Sequence, residues 1–138
     1  MRLRRKKRKI ISGKGTQEFI CVACPIGCML TVKVKGREVR SVTGNRCSKG
    51  PLYAAQEVAG PRRVVTTTVR LHGGRIPLLP VKTRVAVPRD SARAVVIAAS
   101  SVVVSAPVDL GDVVLPDVAG TGVDLVATRS VEPATEGQ

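Results

Sequence analysis

The chain has 138 residues, a net charge of +13 and 43% apolar residues, which leaves room for one compact domain, or one domain plus a small metal-held lobe. Phe19 and Tyr53 are its only aromatic residues, so its core must be built from Val, Ala and Leu, and a local metal cross-link would matter more to stability than in a ring-rich core. The longest uncharged run, 94–108, has 15 residues interrupted by three serines, short of the roughly 20 apolar residues that a spanning helix needs.

Residues 1–16 hold eight basic side chains and no acid, so they contribute +8 and leave +5 for the rest. They read as a disordered basic arm. The Ile-Ile-Ser-Gly-Lys-Gly that follows Lys9 is not the apolar core of a signal peptide, and the expected location is cytoplasmic. Gln17 to Val22 is a short β-prone stretch. From Met29 to Lys35, Leu30, Val32 and Val34 alternate with Thr31, Lys33 and Lys35, the period of a half-buried strand. Gly36-Arg37 makes a tight turn and Glu38 to Gly44 returns.

Ser48-Lys49-Gly50-Pro51 reads as a helix start with Ser48 as the cap. Leu52, Ala55 and Ala59 share one face, and Gly60-Pro61 ends the helix. Val64 to Val69 is β-branched, His72-Gly73-Gly74 turns, and Arg75 to Val81 comes back, with Pro77 and Pro80 confining it to a sheet edge or an extended segment. Asp90 is placed to cap a helix carrying Ala92, Val95, Val96 and Ala99, with a strand as the competing reading of the same valines. Short strands near Val113–Leu115 and Val123–Ala127 end the body, and 132–138 reads as a disordered tail. The class is α+β: a four-cysteine β-hairpin lobe over 17–60, then a mixed strand and helix body over 61–131.

All four cysteines fall in the lobe, as Cys21-x2-Cys24-x3-Cys28 and, 18 residues later, Cys47. A two-residue gap lets the backbone curl so that two sulfurs face one centre, and Gly27 supplies a left-handed turn where one is needed. Seven residues out, a tight turn and seven back bring Cys47 home, because neighbouring strands lie about 4.8 Å apart. Free structural cysteines do not account for that return. Disulfides do not suit a reducing compartment. Metal remains. Structural zinc usually takes two matched Cys-x2-Cys pairs, whereas a three-plus-one split is common for [4Fe-4S] clusters; spacing favours the cluster and leaves zinc open. The basic Lys33, Lys35, Arg37, Arg46 and Lys49 lie on segments that approach the site.

Two resemblances enter on these residues. Cys-x2-Cys-x2-Gly-Cys followed by Asn-x-Cys-x-Lys-Gly resembles the N-terminal [4Fe-4S] segment of molybdopterin oxidoreductases, with a shorter gap before the fourth cysteine, and Pro61-Arg62-Arg63 is similar to the Pro-x-Arg that follows there. This resemblance makes Gly27, Lys49 and Gly50 candidate cofactor-binding residues beside the ligands Cys21, Cys24, Cys28 and Cys47. The order of the cysteine block, Thr66-Thr67-Thr68-Val69-Arg70, Leu79-Pro80-Val81-Lys82-Thr83, Ala106-Pro107-Val108 and Gly120-Thr121-Gly122-Val123-Asp124 resembles a family of small uncharacterised four-cysteine prokaryotic proteins. Members are often encoded beside FAD-dependent oxidoreductases, some of them similar to glycerol-3-phosphate dehydrogenase. The implied function is a non-catalytic iron–sulfur accessory protein exchanging electrons with a flavoenzyme. The alternative is a zinc-stabilised interaction module, binding nucleic acid through the arm by phosphate attraction, although the chain has almost no aromatics to stack on bases.

The remaining polar candidates have duller explanations. His72 reads as a turn residue. Asp109, Asp112, Asp117 and Asp124 lack the spacing of a calcium loop, and Gly120-Thr121-Gly122 lacks the Lys of a phosphate loop.

Overall fold

The computed structural model describes residues 15–135, so the arm expected over 1–16 lies outside the described residues but for its last two positions. The chain divides into two compact units, 1–61 and 62–138.

In the first unit, β1 (Gly15–Ile20), β2 (Met29–Lys35) and β3 (Glu38–Thr43) form an antiparallel meander in that order, and α1 (Lys49–Ala59) packs on its inner face. Alternation explains the sheet: Leu30, Val32 and Val34 are buried, while Lys33 and Lys35 are exposed. Gly36, at φ 65, makes the β2–β3 turn, a backbone region that costs a side-chain-bearing residue and is free to glycine. Cys21 and Ala54 complete the small core, with Phe19, Val39, Val42, Tyr53 and Val58 packed around it.

The helix begins and ends where the sequence predicts, but it buries a different face. Leu52, Ala55 and Ala59 are exposed; Gly50 and Ala54 are buried, with Val58 next on the same i, i+4 stripe. Small residues win the inner face because the backbone there comes within reach of Leu30: a Cβ on Gly50 would lie 3.3 Å from the Leu30 Cδ2. Ser48 does not cap. Its backbone is already helical, at φ −67 and ψ −14, and its side chain makes no capping hydrogen bond.

The second unit is a five-stranded sheet whose strands lie in the order Val103–Ser105, Thr66–His72, Leu78–Thr83, Leu125–Ala127 and Val113–Leu115, with a separate two-stranded pair. In chain order its elements are β4 (Arg62–Arg63), β5 (Thr66–His72), β6 (Leu78–Thr83), β7 (Val87–Pro88), a 3-10 turn at Arg89–Ser91, α2 (Ala92–Ser100), β8 (Val103–Ser105), β9 (Val113–Leu115), a turn at Val118–Gly120 and β10 (Leu125–Ala127). β4 pairs with β7, and the Arg62 guanidinium donates twice to the Ala86 carbonyl, at 3.1 and 2.7 Å. The core is aliphatic, centred on Val69, Leu79, Val81, Val87, Val95, Ala99 and Leu125.

β6 is central rather than an edge, which corrects the expectation drawn from its prolines. In a strand the N–H and C=O of one residue point to the same side. The Pro80 carbonyl accepts from the Thr128 N–H at 3.0 Å, so the missing Pro80 donor faces Thr128, just past the end of three-residue β10. The bond forfeited is the reciprocal one to the Thr128 carbonyl, past the last residue of β10, so the rungs within β10 are kept and proline is tolerated.

At Ala92 to Ala99 the helix prevails over the competing strand, and a strand forms only further on. Ala92–Ser100 is helical and buries Val95 and Ala99, while Val96 is exposed; Val103–Ser105 is a strand parallel to β5. Ser91, not Asp90, occupies the cap position, and its side chain makes no capping bond. Residues 132–135 of the expected tail are held: Pro133 bridges to Gly74, and the Ala134 N–H donates to the Gly73 carbonyl at 2.8 Å. Residues 136–138 lie outside the described residues.

Candidate metal centre

The loop 22–27 that holds Cys24 is the connection between β1 and β2. Ile20 pairs with Met29 in the last register position, and one step further the Cys21 N–H donates to the Cys28 carbonyl at 2.8 Å. Cys21 and Cys28 are thus directly opposed at the base of the loop, and Cys24 sits on it. Gly27, at φ 66, takes the left-handed conformation that lets the chain turn into Cys28.

β3 returns the chain to the same end of the sheet. Thr43 pairs with Thr31, and Gly44, at φ 88, lies against β2: a Cβ there would overlap the Met29 carbonyl oxygen. Gly44 is therefore glycine for two reasons at once, backbone conformation and contact. Three residues on, the Asn45 side-chain amide donates to the Cys47 carbonyl at 3.1 Å, and the same carbonyl accepts the Gly50 N–H at 3.4 Å. Asn45 is held in turn by α1, since a Cβ on Gly50 would come within 2.6 Å of the Asn45 Cβ. Gly50 itself is buried by this packing.

The hairpin return thus brings all four cysteine positions to one end of the meander. Their side chains differ in setting. Cys21 is buried at 4% exposure, Cys24 and Cys28 are half-buried, Cys47 is exposed, and all four thiols are free. Among the described residues, no group of three or more His, Cys, Asp or Glu side chains is close enough together to hold a metal ion. The donor chemistry fits a metal of the thiolate class; the convergence of the four sulfurs is not present in these side-chain positions.

Of the basic residues on the approaching segments, Arg46 and Lys49 flank Cys47. Lys35 and Arg37 border the turn at the opposite end of β2, about 20 Å away at strand rise, beyond the roughly 8 Å over which exposed charges act in physiological salt. Lys33 is on the exposed strand face between them. Lys49 also lines a surface groove of about 320 Å³ with Val22, Ala23, Leu52, Tyr53 and Gln56. Sequence reading missed this groove; an apolar Leu52 outside the small-residue stripe of α1 was the signal for it.

Outside the lobe, the other sequence candidates are structural. His72 ends β5 and is exposed. The aspartates cap turns: the Asp112 carboxylate accepts the Asp109 N–H at 2.8 Å, and the Asp117 carboxylate accepts the Gly122 N–H at 2.6 Å. Gly120 and Gly122, at φ 67 and 71, form the turn expected of them.

A family model described as a protein of unknown function (DUF1667) matches residues 48–129, more than half of the chain. The chain belongs to the DUF1667 family. The DUF1667 match takes in Lys49, Gly50 and all of α1, and it begins one residue after Cys47. Among solved structures, the NMR structure of Clostridium perfringens protein CPE0013 matches with a TM-score of 0.50 at 23% identity, covering 56% of this chain and 92% of that one. It supports a shared fold over that part of the DUF1667 chain. No curated protein matches. No helix among the described residues is long and apolar enough to cross a membrane.

Proposed function

We propose that this protein is a small cytoplasmic iron–sulfur protein, not catalytic alone, that passes electrons to or from a FAD-dependent oxidoreductase. The single observation that carries the metal part is the return of β3: four free cysteines, the chain's whole complement, stand at one end of a three-stranded meander. Cys21, Cys24, Cys28 and Cys47 would hold the cluster, which would supply one-electron chemistry. Loading requires the four thiols to turn toward one another. Cys47 is exposed at the start of α1 and Cys24 rides on a loop, so those two have the rotamer freedom to do so, while the Cys21–Cys28 backbone bond holds the base.

The chain's own residues have defined tasks in this reading. Gly27 turns the backbone into Cys28. Gly44, Asn45 and Gly50 hold the segment that presents Cys47. Arg46 and Lys49 set positive charge beside a centre whose four thiolates leave a formal charge of about −2, which makes the centre easier to reduce. The flavoenzyme partner rests on the resemblance to four-cysteine proteins encoded beside such enzymes.

Anaerobic purification followed by iron, acid-labile sulfide and zinc assays tests the reading. Iron and sulfide in equal amounts, about four of each per chain, with visible absorption that bleaches on reduction, is the expected result. Stoichiometric zinc without sulfide would replace it with a zinc-stabilised interaction module, and no metal of either kind would remove both.

A further inference from the structure

The cysteine loop stands in an apolar collar. Ile20, Val22, Ile26, Met29 and Leu52 are each more than half exposed, and all five lie on or beside the loop. Ile20 and Met29 are cross-strand partners at its base, and Ile20 also approaches Gly27, to 3.8 Å from where a Cβ would stand. Val22 and Leu52 line the groove on the side of α1. Exposed single hydrophobes are ordinary on protein surfaces. Five of them around one loop of a small lobe are a patch of the kind that marks an interaction surface.

The charge bordering the loop is mainly basic; Glu18, two positions before Ile20 on the same face of β1, is an exception. Between residues 19 and 37, and again between 39 and 56, there is no acidic residue, and Arg46 and Lys49 flank the patch on the α1 side. Within 15–61 the acids are Glu18, Glu38 and Glu57; Glu38 is at the far turn, in an ion pair with Arg40 at 3.3 Å. An apolar centre with a basic border is complementary to an apolar recess with an acidic border.

We infer that this collar is a docking surface for a redox partner protein presenting an apolar recess rimmed by carboxylates, which receives the cysteine loop end-on. The inference rests on the electron-transfer reading for the nature of the partner, and on the collar alone for the place and the chemistry of docking. Insertion of the loop would exclude water from Cys24 and set a cluster held by the four cysteines near the partner's cofactor, with Arg46 and Lys49 pairing with the acidic rim.

The test uses the full chain, an acidic flavodoxin as the probe and a cationic cytochrome c as the opposite-charge control, with affinities read by titration calorimetry at low ionic strength. Val22→Ser, Ile26→Ser and Leu52→Ser alter exposed side chains, and Leu110→Ser alters one equally exposed in the second unit (67%, the same as Leu52). All four retain the basic arm, so its attraction for acidic proteins is common to every sample. Expected is flavodoxin binding that weakens about tenfold in each collar variant, the scale of a central apolar contact, and also in the Arg46→Gln, Lys49→Gln double variant, with Leu110→Ser unchanged and no binding of cytochrome c. Collar variants that bind as the unaltered protein does, an equal loss in Leu110→Ser, binding of cytochrome c as tight as that of flavodoxin, or no flavodoxin binding overturns the inference. Iron, sulfide and zinc are assayed on the same samples. A zinc-filled protein that meets the expectation retains the docking surface and loses only the electron-transfer reading; a cluster-bearing protein that fails it does the reverse.

Discussion

The Cys21 N–H donates to the Cys28 carbonyl at 2.8 Å, so the loop with Cys24 on it is closed at its base by one more rung of the β1–β2 ladder. The cysteine loop is thus an extension of the sheet, and its geometry is inherited from strand register. That has consequences for what each nearby residue is worth.

Cys24→Ser removes a donor on the loop without touching that closing bond. Metal bound by the purified variant should fall to a small fraction of the unaltered level, and its thermal midpoint should drop well below that of the loaded protein. Structural metal contributes on the order of 10 kcal/mol to small domains, far more than any single contact in this aliphatic core. Metal analysis and calorimetry check this; unchanged melting would sink the four-thiol site.

Gly44→Ala should destabilise the protein by about 1–3 kcal/mol, the cost of holding a non-glycine residue in a strained backbone region, because its Cβ meets the Met29 carbonyl at φ 88. Relief requires Gly44 to swing away from β2, which carries Cys47 with it. Urea unfolding reports the first effect and metal stoichiometry the second, and the two should fall together.

A pair of glycine variants separates contact from propensity. In a helix, Gly→Ala favours the helix by about 1 kcal/mol. Gly50→Ala should nevertheless destabilise, since the added carbon would stand 2.6 Å from the Asn45 Cβ, and overpacking of this kind costs about 1–3 kcal/mol. Gly60→Ala meets nothing within 4 Å and sits at an extended φ of 167, so it should be neutral or slightly stabilising. Opposite signs in urea midpoints are the expected result.

Thr83 is a fully buried polar side chain in the second unit. Its Oγ1 accepts the Val65 N–H at 3.0 Å, and its own N–H donates to the Val65 carbonyl at 2.9 Å. Thr83→Val keeps the shape and leaves a buried donor without a partner, which costs about 1–3 kcal/mol; Thr83→Ser retains the oxygen and should lose less. Denaturation curves of the two variants check the order.

Local periodicity made the lobe readable. The alternation of Leu30, Val32 and Val34 defined β2, and Gly36 and Gly27 marked the two turns that needed left-handed backbone. From those, the hairpin length predicted the return of Cys47 to the end of the meander that carries Cys21 and Cys28; the chain does return there, but the thiols do not converge. The inner face of α1 was not readable, because hydrophobic count pointed to Leu52 while the close approach of Leu30 selected Gly50 and Ala54. Pro80 misled for a similar reason: its cost depends on where its neighbour strand ends.

By itself the sequence determined what is local: which segments alternate, where the chain must turn, and that four thiols share one short lobe. Only the tertiary structure decided which helix face meets the sheet, that β6 is central, that β8 runs parallel to β5, and that apolar side chains remain uncovered around the cysteine loop. The division is physical. Periodicity and turn chemistry act over a few residues, whereas packing depends on distances between segments far apart in the chain, and those distances exist only once it has folded.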